Sequence, residues 1–346
     1  MYSKLNNRPI YLVIMTHVEG DEPEPEGSLT CGDLTYQEGG IPPIGEHPKC
    51  ATYEIDLAGT ELFHELLQAY TDSRGKTPRL FIEPVGNLWH TEADPKYGGR
   101  FFRKYDYLEL GAEFGIQGHN IYYSGEGFCW YKSPQTPEGI RRKFVDMHYF
   151  AERVYQKGHK VNAGLTFTGG HKLESPPMDP REAEYVIDHV AYTLGYRISF
   201  EDCDGHWQSK PDTIDWNYAS PFAYEADYGD GVRMFKVDFN GMITADAPGN
   251  SPRCEKPEEA LARYDRTVAA QENDRDPTHI YYFATTFHSN VVWIDHHIAK
   301  AGLPLGREGA GLRGFMDGIQ SRMKSGVQIM FVTPKELWEI FKKAQA

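Results

Sequence analysis

An α/β fold whose parallel sheet closes into a barrel is what this sequence predicts, and two observations predict it. Short runs rich in Val, Ile, Tyr and Phe alternate with longer helical patterns along all 346 residues, which is how parallel strands joined by crossover helices read. The first run leads into Thr16-His17-Val18-Glu19-Gly20-Asp21 with no glycine triplet. The open, dinucleotide-binding version of such a sheet therefore lacks its phosphate turn. A barrel is the better expectation.

The expected strands are 10–16, 79–84, 114–118, 161–166, 196–200, 234–238 and 280–286, with a strand-like stretch at 327–332. Most are continuous apolar runs, as strands covered on both faces require. Helical patterns occupy 59–73, 139–157, 180–194, 256–273, 291–301 and 334–344. The third opens on Pro180 and is followed by Gly195, the expected asymmetry of a helix. Long connections at 21–49 and 203–231, the second carrying Trp207, Trp216, Tyr218 and Tyr224, have the length of lids or binding loops. No repeat, low-complexity tract or linker divides the chain, so residues 1–346 are expected to form a single catalytic-type barrel domain.

Composition excludes some partners. With 40% hydrophobic and 25% charged residues the chain is ordinary globular material. Its net charge of −14 and lack of any basic run argue against nucleic acid. The aromatic share of 13% suits sugar stacking, although a well-packed core uses the same residues. Cys31, Cys50, Cys129, Cys203 and Cys254 show no CxxC spacing; Cys31 and Cys50 flank one loop and could pair, but free thiols are the better expectation. The apolar run 10–15 is too short for a membrane span and lacks a cleavage site. The expectation is no membrane partner and a cytoplasmic location, or a secreted or periplasmic one if a leader once preceded this sequence. Oligomeric state is not readable.

Histidines gather where the expected strands end. The first strand runs into His17-Val18-Glu19, and a period of two puts both side chains on one face, half of a site for zinc or a similar ion. The third ends at Gln117-Gly118-His119, the fourth at Gly169-Gly170-His171, and the seventh at Phe287-His288. The fifth runs through Glu201, Asp202 and Asp204 to His206. In a parallel barrel these ends converge on one mouth. His64, His148, His189, His296 and His297 fall inside helical patterns and are set aside. No G-x-S-x-G elbow, P-loop or H-E-x-x-H is present.

The order of these segments resembles the polysaccharide deacetylase family over roughly residues 10–341. Thr16-His17-Val18-Glu19-Gly20 stands where that family has its acidic first motif, and Gly115-Ile116-Gln117-Gly118-His119 is similar to its G-H-E-I-x-x-H. Leu194-Gly195-Tyr196-Arg197, Asp212-Thr213-Ile214-Asp215-Trp216, Phe287-His288 and Phe331-Val332-Thr333-Pro334-Lys335-Glu336-Leu337 resemble its later motifs. The chain departs from the pattern at the first acid, replaced by His17 or Val18, at the second histidine, replaced by Tyr123, and at the arginine before Gly169-Gly170.

The resemblance implies a distorted (β/α)7-type barrel that removes an acyl group from an N- or O-acetylated carbohydrate by metal-activated water. It implies a divalent metal, zinc as first choice, on His17, Glu19 and His119, with Asp21 as base and His288 as acid. Asp21 and Glu19 can exchange roles. Tyr123, Trp130, Trp207 and Trp216 are sugar-stacking candidates, and His171 and Asp204 complete the expected substrate contacts. Two other readings stay open. One is a metal-dependent glycoside hydrolase using carboxylates among Glu201, Asp202 and Asp204; the other is a barrel that binds carbohydrate without catalysis.

Overall fold

The computed structural model describes residues 8–18, 53–84, 88, 112–117, 122–123, 128–129, 137, 141, 148, 166–168, 180–201, 220–238, 241–242, 257–289, 292 and 310–346. In chain order the elements are β1 (Ile10–Val18), α1 (Tyr53–Leu67), β2 (Phe81–Pro84), β3 (Glu113–Phe114), β4 (Ile116–Gln117), β5 (Tyr122–Tyr123), β6 (Phe128–Cys129) and β7 (Thr166–Thr168). They continue with α2 (Pro180–Thr193), β8 (Ile198–Glu201), β9 (Tyr224–Asp227), β10 (Arg233–Asp238), β11 (Gly241–Met242), α3 (Pro257–Asn273) and β12 (Tyr282–His288). The last are α4 (Ala310–Lys324), β13 (Ile329–Phe331) and α5 (Pro334–Gln345).

The architecture is α/β with parallel sheets. One sheet runs β11-β12-β1-β2-β3 with β13 added on β1, and a second runs β4-β7-β8-β10-β9. Only β9–β10 and the separate β5–β6 pair are antiparallel among the paired strands described. β1 is central. Tyr11 lies opposite Tyr282 and Met330, and Met15 opposite Thr286 and Phe81. A strand has two edges, so β12 takes one while β13 and β2 share the other.

Period two divides the strand side chains between two apolar layers. Leu12, Ile14, Val18, Ile82, Phe114 and Phe283 pack with Phe63 of α1, Val190 of α2, Tyr264 of α3 and Phe315 of α4. The opposite face gathers Val13, Met15, Phe81, Ile198, Phe235, Val237, Tyr282 and Ala284 with Leu337 of α5, and Trp338 and Phe341 pack against it. Each large apolar side chain so buried contributes about 1.5–3 kcal/mol. This is why β1 reads as an unbroken apolar run rather than an alternating one.

α5 starts where its residues say it should. Thr333 accepts from the Glu336 amide while Glu336 accepts from the Thr333 amide, and Pro334 opens the first turn, a reciprocal cap. α1 is displaced from the expected 59–73 because Leu66, Leu67 and Tyr70 keep contributing to the core as the helix gives way to a turn. At its other end, Gly59 is buried within the helix rather than starting it. The connection expected at 203–231 contains β9. α4, unexpected from the sequence, carries Gly311, Gly314 and Gly318, which weaken a helical pattern. Two of them permit close packing: a Cβ on Gly314 would stand 3.2 Å from Pro257, and one on Gly318 would overlap Leu261 of α3. Of the stretches expected at 139–157 and 291–301, Arg141, His148 and Val292 are described, all in helical conformation.

Candidate functional site

The face of the first sheet that carries Val13, Met15 and Phe81 turns polar at the carboxyl ends of its strands. Val13 and Met15 belong to the layer that α5 covers, so His17, next in that parity, continues it. Phe81 is followed in the same way by Glu83, and Tyr282 and Ala284 lead to His288. Register then sets the three in a row: His17 lies opposite His288 on β12 and opposite Glu83 on β2. Gln117 reaches the same place from β4.

His17 is 1% exposed, and Glu83 and Gln117 are wholly buried; His288 is half-buried. His17 Nε2 stands 3.5 Å from Glu83 Oε2, and His17 Nδ1 lies 3.0 Å from Gln117 Nε2. The rings of His17 and His288 meet edge to face with centroids 5.2 Å apart. Gly115 leaves the room: a Cβ there would stand 2.8 Å from Glu83 Oε1. A carboxyl and an imidazole withdrawn from water cost stability unless something at the site uses them.

Two ligands of a tetrahedral zinc ion, each at about 2.0–2.1 Å, stand ~3.4 Å apart. The 3.5 Å between His17 Nε2 and Glu83 Oε2 fits such a pair. Among the described residues no group of three His, Cys, Asp or Glu could hold an ion, so further donors would have to come from elsewhere in the chain.

Of the residues singled out from sequence, the structure brings His17 and His288 together. Tyr123 lies in β5 opposite Phe128 of β6. Glu19, Asp21, His119, Trp130, His171, Asp204, Trp207 and Trp216 lie outside the described residues. Glu83 and Gln117 were missed. The signal for Glu83 was an acid at the end of the apolar run Phe81-Ile82, with the parity of Phe81. Two histidines set aside have other partners: His189 bonds Asp230 at 2.7 Å, and His148 lies 3.1 Å from the Tyr196 hydroxyl.

No protein-family model matches this sequence, and no curated protein matches it. Solved structures with a likeness include a candidate polysaccharide deacetylase from Pseudomonas aeruginosa, at 10% identity and a TM-score of 0.49 over 94% of this chain and 89% of that one. A candidate glycoside hydrolase/deacetylase from Parabacteroides distasonis aligns at 14% identity and a TM-score of 0.49, over 99% of this chain and 73% of that one. A 4-α-glucanotransferase from Thermococcus litoralis aligns at 13% identity and a TM-score of 0.47 over 96% of this chain, which spans only 40% of that protein. These likenesses are too distant to bear on what this chain binds or does. No helix among the described residues is long and apolar enough to cross a membrane.

Proposed function

We propose that this chain is a metal-dependent hydrolase that removes acetyl groups from an N- or O-acetylated carbohydrate. Its frame in this reading is a single distorted (β/α)7-type barrel domain over residues 1–346. Two features support the barrel. β3 and β4 are separated only by Gly115, and β10 and β11 only by residues 239–240, so pairing passes from one sheet to the other at both places.

The observation that carries the function is the row His288, His17 and Glu83, with Gln117 beside it, at neighbouring strand ends. In this reading His17, His119 and one carboxylate, Glu19 or Glu83, would hold a divalent cation, zinc for preference, and leave its fourth position to water. The bound cation would polarise the acyl carbonyl and lower the pKa of a water molecule. Asp21 would take a proton from water, and His288 would give one to the departing amine or alcohol. The half-buried position of His288 suits a group that must meet substrate. Tyr123, Trp130, His171, Asp204, Trp207 and Trp216 contact the sugar.

The test is a Zn2+ titration of untagged, chelator-treated protein against a chromophoric competitor. One Zn2+ per chain is expected in the wild type, lost in His17→Ala and His119→Ala and kept in His189→Ala. Acetylated oligosaccharides should release acetate without new reducing ends. A wild type that takes up no cation would sink this reading, and reducing ends without acetate would move it to a glycoside hydrolase.

A further inference from the structure

Gln117 meets His17 through its amide nitrogen, Nε2 to Nδ1 at 3.0 Å. Its Oε1 is buried and meets no hydrogen-bond donor among the described residues. With the carboxamide nitrogen facing the ring it donates, Nδ1 accepts, and the ring proton sits on Nε2, the nitrogen that faces the Glu83 carboxylate. That proton then faces Glu83 Oε2, 3.5 Å from the nitrogen.

A histidine that binds a cation through Nε2 has the opposite need. Its proton must be on Nδ1 and must be given to an acceptor, which fixes the ring and raises its basicity. A half-turn of the Gln117 carboxamide supplies that acceptor within the same envelope, because oxygen and nitrogen exchange places. The buried Oε1 is then the group whose use lies in the other state.

We propose that Gln117 is a positioning residue that decides which ring nitrogen of His17 carries the proton. In the cation-free protein it holds Nε2–H toward Glu83; when Nε2 takes a divalent cation, the turned carboxamide accepts from Nδ1–H. The second half rests on the reading of the site given above, and the first does not.

Ring-nitrogen NMR of the full chain labelled with 15N-histidine tests it, with the His17 signals identified by their loss in His17→Ala. The cation-free wild type should show the Nε2–H pattern and convert to Nδ1–H on adding Zn2+. Gln117→Glu, an acceptor at both oxygens, should show Nδ1–H before any Zn2+ is added. Gln117→Met, of similar length but without an amide, should mix the two forms and bind Zn2+ about 10–100-fold more weakly. Nδ1–H in the cation-free wild type, or a His17 pattern unchanged in both variants, overturns the proposal. A wild type that takes no Zn2+ overturns the site reading and the cation-bound half with it, while the cation-free pattern still decides the other half.

Discussion

Glu113 is buried on β3, level with Phe81 and close to the start of α5. Burial pushes its carboxyl up to about 7 from an ordinary 4.5, against the Thr333 hydroxyl, the Lys335 amide and Arg79, which pull it down. The folded protein therefore holds a proton there that the unfolded chain releases, and stability declines as pH rises from about 4.5 to about 7. A rise of that size corresponds to on the order of 3 kcal/mol. Glu113→Gln should lack this decline, so its stability relative to wild type should be greater at pH 8 than at pH 5. Urea unfolding of both proteins at the two pH values measures it. A wild-type-to-variant difference that stays constant across that range contradicts the assignment.

At the scale of elements, α2 is fastened to β10 by a wholly buried ion pair. Lys236 Nζ lies 2.6 Å from Asp188 Oδ2, which also accepts from the Tyr228 hydroxyl at 2.5 Å. Removing one partner strands a charge in the core, so Lys236→Met should cost about 3–5 kcal/mol. The double variant Asp188→Leu with Lys236→Met should recover most of that loss, because no charge is left to desolvate. Chemical denaturation of the three proteins checks the pair, and a single-variant loss below about 1 kcal/mol would put it with ordinary surface bridges. Elements were read from sequence best where one layer of contacts made the pattern. α2, with Pro180 at its start, matches its expected position closely. α4 escaped because its glycines serve the neighbouring helix rather than its own propensity.

Across the whole molecule, β1, β2 and β12 contribute to both apolar layers. The helices α1 to α4 cover one layer, and α5 closes part of the other through Leu337, Trp338 and Phe341. Shared strands make independent unfolding of either layer unfavourable. Leu337, wholly buried, should cost about 2–5 kcal/mol on replacement by alanine. Far-UV and near-UV circular dichroism should still report one coincident transition at a lowered midpoint. Two separated transitions would show the layers to be independent units.

By itself the sequence determined that strands and helices alternate, and that two imidazoles, of His17 and His288, stand at strand ends. These follow from local periodicity, which needs no partner to be legible. His17 and His288 were found in this way. What Glu83 and Gln117 meet could be assigned only by tertiary structure, because their approach to His17 follows from register across strands and not from their neighbours in the chain. A pairing of His17 with Glu83 and an amide 100 residues away from it in the chain are set by how strands align. That alignment depends on which apolar faces are buried together, and no single segment records it.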